Sequence, residues 1–277
     1  DTEVFAASLA DERIRYYKNQ ESLFATGSRN VGIQKSKGQL VAFLDDDDEW
    51  YATKLERQVE LFKNPEYGIV YSSIYLYFEN NTKYSYNSQP SIEGHAYKQL
   101  LMKNYIGATP SVMIRKEALD SLGGDGSFDT QFPAREEYDL WIRICKNWKI
   151  AFVPEPLVKQ YYSNDIQRIS SDVDNYVRAI DILNEKYKNE VSRLLTSAEQ
   201  NTRLYYQQFF LGSQAIKIGN AKLAREFFAA ALLKRKNPKA LLSYMISFLG
   251  AERVVSARYY LDKLMSLRSS GTEVKQR

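Results

Sequence analysis

The apolar run Leu40-Val41-Ala42-Phe43-Leu44 is followed directly by Asp45-Asp46-Asp47-Asp48. Five consecutive apolar residues predict a strand that is buried on both faces, as in a parallel α/β sheet. The four carboxylates repel one another, and each raises the pKa of its neighbour unless a cation lies among them. Since ligands of open α/β sheets bind at the carboxyl ends of strands, this run is a candidate cation site at a sheet edge.

The hydrophobic pattern on both sides of this stretch predicts the rest of the fold. Strand patterns occur at residues 14–17, 68–71, 111–114 and 150–153, and helical patterns at 29–37, 52–63 and 136–148. Their alternation predicts an α/β fold with a mostly parallel central sheet. Near Ser170 helical stripes take over and predict four or five helices packed as antiparallel pairs. We therefore expect an α/β domain over residues 1–168 and an all-α region over residues 169–277.

The composition limits the chemistry available within the chain. Among 277 residues there is one cysteine, Cys145, and one histidine, His95. An internal disulfide, a Cys/His zinc site and a multi-histidine iron or copper site are therefore excluded within this chain. Because no apolar stretch reaches the ~18 residues needed to span a bilayer, and a targeting signal is not recognisable, we expect a cytoplasmic location.

Charge is distributed unevenly along the sequence. Residues 1–170 hold 20 basic and 24 acidic side chains, whereas residues 171–277 hold 18 and 10. One interpretation is that the later helices carry ordinary solvated charges; the other is that they meet an anionic partner. Apolar residues 241–249 beside Lys234, Arg235 and Lys236 would suit peripheral contact with the inner face of the plasma membrane, or else they are buried in a helical cap. Nucleic-acid binding is not supported, because the aromatic-rich half is the acidic half.

The aspartate run favours a hard divalent cation. Alternate residues of an extended backbone point the same way, so Asp45 and Asp47 can share one ligand while Asp46 turns aside. Carboxylate oxygens favour Mg²⁺ or Mn²⁺, which keep positions open for substrate phosphates. The alternative is a solvated acidic turn that caps a helix beginning near Tyr51.

Three segments carry a family resemblance: residues 27–33, 37–50 and 54–58. Together they resemble the family 2 inverting glycosyltransferases with the GT-A fold, which is Rossmann-like, and the similarity covers most of residues 10–162. The resemblance implies a nucleotide-diphospho-sugar donor and a saccharide or lipid-linked acceptor in bacterial surface polysaccharide synthesis. It implies that Mn²⁺ or Mg²⁺ is held by Asp45 and Asp47, with Asp47 the direct ligand. It places Arg29, Asn30, Asp45 and Asp46 on the donor side.

A second match is the run Arg135-Glu136-Glu137-Tyr138-Asp139-Leu140-Trp141. The family keeps an Asp at the position of Glu137, where it acts as general base on the acceptor hydroxyl. The resemblance thus implies Glu137 as the base, with Glu136 as its catalytic neighbour, although Glu adds one methylene. Two adjacent carboxylates raise the pKa of one of them toward that of a useful base. The alternative is that the pair only complements the dipole at a helix N-terminus.

The start of the chain departs from the family pattern. The family begins with a β-α-β unit that ends in an Asp-Asp-Gly-Ser type turn, and Asp1-Thr2-Glu3-Val4 resembles the residues just after it. We therefore expect the chain to lack that unit and to be part of a longer protein. The alternative function is a non-catalytic binding or scaffold protein on a degenerate GT-A fold, which a donor titration with and without Mn²⁺ would separate from an enzyme.

Overall fold

The structure is a computed structural model that describes residues 2–78, 86–88, 90–123, 128–162, 172–251 and 253–254. The strands are β1 (Leu40–Ala42), β2 (Asp48–Trp50), β3 (Tyr67–Phe78), β4 (Tyr86–Asn87), β5 (Val112–Arg115) and β6 (Lys149–Tyr162). The helices before β6 are α1 (Thr2–Ser8), α2 (Phe24–Lys35), α3 (Lys54–Leu61), α4 (Tyr97–Met102), α5 (Lys116–Asp120) and α6 (Glu136–Cys145), with a 3₁₀ turn at Thr109–Ser111. After β6 come α7 (Val173–Lys186), α8 (Lys188–Leu194), α9 (Ser197–Lys217), α10 (Ala221–Lys234) and α11 (Pro238–Ser247).

The predicted α/β class followed by an all-α region is confirmed. The boundary predicted between residues 168 and 169 lies outside the described residues. The strand predicted at residues 14–17 is wrong, because this segment has no regular structure and leaves Ile14, Tyr16 and Tyr17 exposed. A segment with an apolar pattern becomes a strand only where a neighbouring strand offers hydrogen-bonding partners. Among the described residues, no strand pairs with residues 14–17.

The sheet is mixed rather than mostly parallel. Its order is β1-β5-β3-β6-β2, with β4 paired to β3, and β3–β6 is the one parallel pair among the described strands. Of the strands predicted for a mostly parallel sheet, β1, β3 and β6 do share one direction, whereas β5, predicted at residues 111–114, runs the opposite way. The pairing prediction failed because β5 inserts antiparallel between β1 and β3, and β2 adds antiparallel to β6. A short apolar run carries no information about its own direction.

The parallel pair of β3 and β6 lies in the interior of the sheet. Strand β6 is longer than predicted. Its register with β3 shifts between Ser72↔Val153 and Ser73↔Pro156, so the strand continues past Pro154 and Pro156. Proline lacks the N–H donor of a regular ladder and is tolerated at such irregularities. The extension carries β6 to Gln160, opposite Asp48 of β2, and so attaches the acidic run to the sheet.

One hydrophobic core joins the sheet to the first C-terminal helices. Leu140, Trp141 and Ile144 of α6 belong to the same buried cluster as Leu183 of α7 and Tyr187. Burial of apolar side chains stabilises by about 1.5–3 kcal/mol each, so this shared cluster fixes α7 against α6. The candidate site therefore borders the helical region directly.

The long helix α9 organises the remaining helices. It begins with a capping box, in which the Thr196 side chain accepts from the backbone of Glu199 and the Glu199 side chain accepts from the backbone of Thr196. Gly212 allows close approach of α10, because an added Cβ would lie 2.6 Å from ring carbons of Phe228. Among the helices that the structure describes, none has both the length and the apolar character required to cross a membrane.

Candidate active site

The acidic run forms a tight turn between β1 and β2. Phe43, the last buried residue of the apolar stretch, packs edge-on against Phe128, with ring centres 5.4 Å apart. The backbone then turns, and the N–H of Asp48 donates to the carbonyl of Asp45 at 3.2 Å. Asp46 and Asp47 lie exposed at the corner. The run is therefore not extended as expected, and the alternation argument for Asp45 and Asp47 does not apply to it.

Asp48 is a candidate site residue that the sequence reasoning missed. It is 9% exposed, and its Oδ2 accepts from Nε2 of Gln160 at 3.3 Å. Burial, together with the charges of Asp47 and Asp45, raises the pKa of Asp48 to about 6. Its Oδ1 is buried without a hydrogen-bond partner among the described residues, which makes it an oxygen available to a cation. The sequence holds no signal for this, since it depends on the pairing of β2 with β6.

Arg29 of α2 brings the two predicted motifs together. Its Nη2 lies 2.6 Å from Oδ1 of Asp45, and its Nη1 lies 2.9 Å from Oε1 of Glu136. The three side chains are only 15–30% exposed. Burial disfavours the charge of Arg29, but the charges of Asp45 and Glu136 outweigh it and raise its pKa. A planar guanidinium can bind two carboxylates at fixed geometry, so Arg29 holds the acidic turn and the start of α6 next to each other.

Asn30, the next residue of α2, binds the loop at Phe128. Its Nδ2 donates to the carbonyl of Phe128 at 2.8 Å, and its Oδ1 accepts from the N–H of Phe128 at 2.9 Å. Both polar groups of the amide are thus engaged by one backbone position. The Phe128 ring in turn lies 5.8 Å from the Arg29 guanidinium. The predicted donor role of Asn30 stays a prediction, whereas the structure gives it a part in shaping the loop at Phe128.

Glu137 is the titratable group best suited to proton transfer. Burial and the neighbouring charge of Glu136 raise the pKa of Glu137 to about 7, against the opposing charges of Arg135 and Arg29. Its Oε1 accepts a long hydrogen bond of 3.4 Å from Asn104. The Asn104 side chain is itself fixed, since its Oδ1 accepts from the N–H groups of Ile106 and Gly107. Asn104 is a second residue that sequence reasoning missed, because a lone Asn in a loop carries no distinguishing signal.

The structure therefore assembles most of the predicted residues. Arg29 contacts both Asp45 and Glu136, Glu137 follows directly in the chain, and Asp46 and Asp47 lie exposed in the adjoining turn. No group of three or more His, Cys, Asp or Glu side chains within the described ranges is arranged to hold a metal by itself. Mg²⁺ and Mn²⁺ commonly take one or two carboxylates and complete their shell with water and substrate phosphates. The acidic turn fits such an ion.

Comparison with known proteins gives one family. Residues 1–123 match the family model described as Glycosyl transferase family 2. This match includes Arg29, Asn30 and the acidic turn, and it ends before α6.

Similar proteins come from bacteria and archaea. An uncharacterized glycosyltransferase of Haemophilus influenzae is 30% identical over 183 residues, which are 64% of this chain and 60% of that protein. The Escherichia coli UDP-Glc:alpha-D-GlcNAc-diphosphoundecaprenol beta-1,3-glucosyltransferase WfgD is 26% identical over 187 residues, 67% of this chain and 70% of that protein. The chain spans 55–60% of the first two curated relatives it matches. The crystal structure of S. aureus TarS in complex with UDP-GlcNAc gives a TM-score of 0.47 at 12% identity, covering 88% of this chain and 79% of that one.

Proposed function

We propose that this chain, whose residues 1–123 match the model of glycosyltransferase family 2, transfers a sugar with inversion from a nucleotide-diphospho-sugar to a saccharide or lipid-linked acceptor. The reaction would require a divalent cation and would serve bacterial polysaccharide synthesis; the E. coli relative is a glucosyltransferase that acts on a sugar linked to diphosphoundecaprenol. The observation that carries the proposal is the double ion pair of Arg29 with Asp45 and Glu136. These partners lie 16 and 107 residues from Arg29 in sequence. The acidic turn, which would bind the charged donor, and the start of α6, which carries the proposed base, therefore lie next to each other.

The acidic turn is the part of the site that we propose binds the donor. Asp45 and Asp47 would hold Mn²⁺ or Mg²⁺, and Asp48 Oδ1 offers a further buried oxygen. When bound, the cation would supply Lewis-acid stabilisation of the departing diphosphate. Arg29 adds a fixed positive charge at the same edge, which favours a phosphate-bearing ligand and offsets the repulsion among the aspartates. Asn30, through its hold on Phe128, shapes the wall beside that ligand.

Glu137 is the proposed base at the acceptor end. The acceptor hydroxyl oxygen attacks the anomeric carbon from the face opposite the diphosphate, while Glu137 takes the hydroxyl proton. The bond from the anomeric carbon to the diphosphate oxygen breaks, the electron pair leaves with the nucleoside diphosphate, and the configuration inverts. A base with a pKa of about 7 is half ionised at neutral pH, which suits proton removal there. Asn104 steadies the carboxylate.

The function is tested by donor turnover. The chain is incubated with UDP-, dTDP- and GDP-sugars in Mn²⁺, Mg²⁺ or EDTA, and the released nucleoside diphosphate is measured, with NMR of the anomeric product. We expect metal-dependent release with inverted product, and loss by at least ~100-fold in Glu137→Gln. Asp120→Asn, a change at an exposed carboxylate paired with Lys116, is the control and should keep full activity. Release that is unaffected by EDTA, or equal in Glu137→Gln, would disprove the proposal.

A membrane surface is the proposed peripheral partner of the helical region. Leu241, Met245 and Phe248 follow one another at helical spacing and are 48%, 58% and 62% exposed. Lys234 and Lys236, just before α11, are exposed as well. Apolar side chains beside cations suit an anionic lipid surface. Co-sedimentation with phosphatidylglycerol vesicles, but not with phosphatidylcholine vesicles, is expected, and Phe248→Ser should weaken it; equal recovery with both vesicles, or with neither, would rule this contact out.

A further inference from the structure

Arg135 connects the candidate base helix to the C-terminal helices. It immediately precedes α6, and its backbone is left-handed, with φ of 61°. This conformation costs a non-glycine residue about 1 kcal/mol or more, so its surroundings must hold it in place. The Cζ of its guanidinium lies 4.8 Å from the ring centre of Tyr138 and 4.2 Å from that of Phe210 on α9. Aromatic faces attract a guanidinium, more strongly when it is partly desolvated.

The same helix is anchored to the C-terminal helices at a second point. Asp139 is fully buried, and its Oδ1 accepts from the hydroxyl of Tyr187 at 2.7 Å and lies 2.9 Å from Nζ of Lys186. Its Oδ2 accepts from Nε of Arg143 at 2.8 Å. With this anchor, α6 cannot shift relative to α7 without breaking a buried charge network. The contact between Phe210 and Arg135 therefore acts on a helix whose position is already fixed.

We propose that Phe210 is a positioning residue for the base: its ring holds the guanidinium of Arg135, which lies two residues before Glu137 in the chain, so that the C-terminal helices set the charge around that carboxylate. The inference rests on the proposed function for its catalytic meaning, because Glu137 matters only if it removes a proton. Arg135 forms no ion pair within the described ranges, so the aromatic faces are what retain its charge at this place.

The charges around Arg135 and Glu137 define the direction in which the pKa of Glu137 is expected to shift. Burial and Glu136 raise the pKa of Glu137, whereas Arg135 and Arg29 lower it. The charge of Arg135 also interacts with the titratable groups of Tyr138, Tyr176 and Arg203, and its guanidinium lies over the ring of Tyr138. If the ring at position 210 is lost, the guanidinium is free to move toward solvent. Glu137 then loses a nearby positive charge, and its pKa rises.

The test is a titration that needs no turnover. The chain is labelled with ¹³C at the Glu side-chain carboxyl, and the Glu137 resonance is assigned by its absence in Glu137→Gln. In Phe210→Leu we expect the Glu137 midpoint to move up by about half a pH unit or more. That shift corresponds to about threefold lower activity at pH 6 and no difference at pH 9. A midpoint equal to that of the unmodified chain, or lower, would overturn the inference.

Matched variants separate positioning from a loss of packing. Phe248→Leu removes a ring that lies 4.8 Å from the guanidinium of Arg225, away from α6, and should leave the Glu137 titration unchanged. Phe210→Tyr keeps the aromatic face and should restore the original midpoint. Arg135→Met removes the charge directly and should raise the midpoint even if Phe210→Leu proves too unstable to titrate. A chain that never turns over donor would overturn the proposed function without affecting this titration.

Discussion

Replacement of Glu137 by Gln should stabilise the protein while it abolishes transfer. Glu137 is a carboxyl whose pKa is raised from 4.5 to about 7 by burial and by Glu136. Below pH 4.5 the carboxyl is neutral in the folded and the unfolded chain, so it does not lower the free energy of unfolding. As the pH rises to 7 the unfolded chain ionises first, and above 7 the full cost of an ionised buried carboxylate is present. Gln has nearly the same shape and never ionises.

The size of the effect follows from the two pKa values. The rise from 4.5 to about 7 corresponds to at most about 3 kcal/mol of unfolding free energy. Glu137→Gln should therefore match the unmodified chain at pH 4 and exceed its stability by up to about 3 kcal/mol at pH 8. Loss of the base should lower turnover by at least ~100-fold. Opposite effects on stability and activity are typical of a group placed for chemistry rather than for folding.

Urea unfolding at pH 4, 6 and 8 measures this difference, with equal m-values required for comparison. Glu66→Gln is the control of opposite sign. The hydrogen bond from Lys149 lowers the pKa of Glu66, so that carboxylate stabilises the fold above pH 4.5 and the stabilisation fades as the pH falls. Its replacement should lower stability at pH 8 and have little effect at pH 4. If Glu137→Gln is no more stable than the unmodified chain at pH 8, or if its gain does not depend on pH, the reasoning about Glu137 is wrong.

Two further predictions concern the interior. Lys54 is fully buried, its Nζ donates to Gln58 at 2.6 Å, and burial lowers its pKa to about 7. The gain in unfolding free energy that Lys54→Met gives should therefore shrink by about 4 kcal/mol between pH 7 and pH 10. A gain in urea unfolding that stays constant over this pH range would contradict the prediction. Gly212→Ala should cost about 1–3 kcal/mol, because its Cβ would meet Phe228 at 2.6 Å. Gly32→Ala, also helical but with open space around it, should be neutral or stabilising in the same thermal melts, and equal losses in both would refute the packing argument.

Much of the fold could be predicted from local patterns. The apolar stretch that contains β1, the apolar runs at β3 and β6, and the acidic start of α6 are each recognisable because periodicity and helix-terminal charge act over a few residues. The direction of β5 could not be predicted, because a four-residue strand pairs equally well either way. The extension of β6 past two prolines depends on a register shift that only its partner β3 reveals.

The sequence predicts most residues of the candidate site but not the contacts between them. Residue type alone marks Asp45, Asp47 and Glu137 as chemically useful. The pairing of Arg29 with Glu136 joins residues 107 positions apart and is a tertiary contact that no local pattern encodes. Asp48 is buried only because β2 pairs with β6.

The central claim is that the acidic turn and Arg29 bind the diphosphate of a nucleotide sugar together with a divalent cation. Isothermal titration of UDP into the chain, in Mn²⁺ and then in EDTA, with Asp47→Asn in parallel, tests it most directly. We expect binding in Mn²⁺, its loss in EDTA and a clear weakening in Asp47→Asn. Equal affinity in EDTA, or an Asp47→Asn variant that binds as tightly as the unmodified chain, would contradict it.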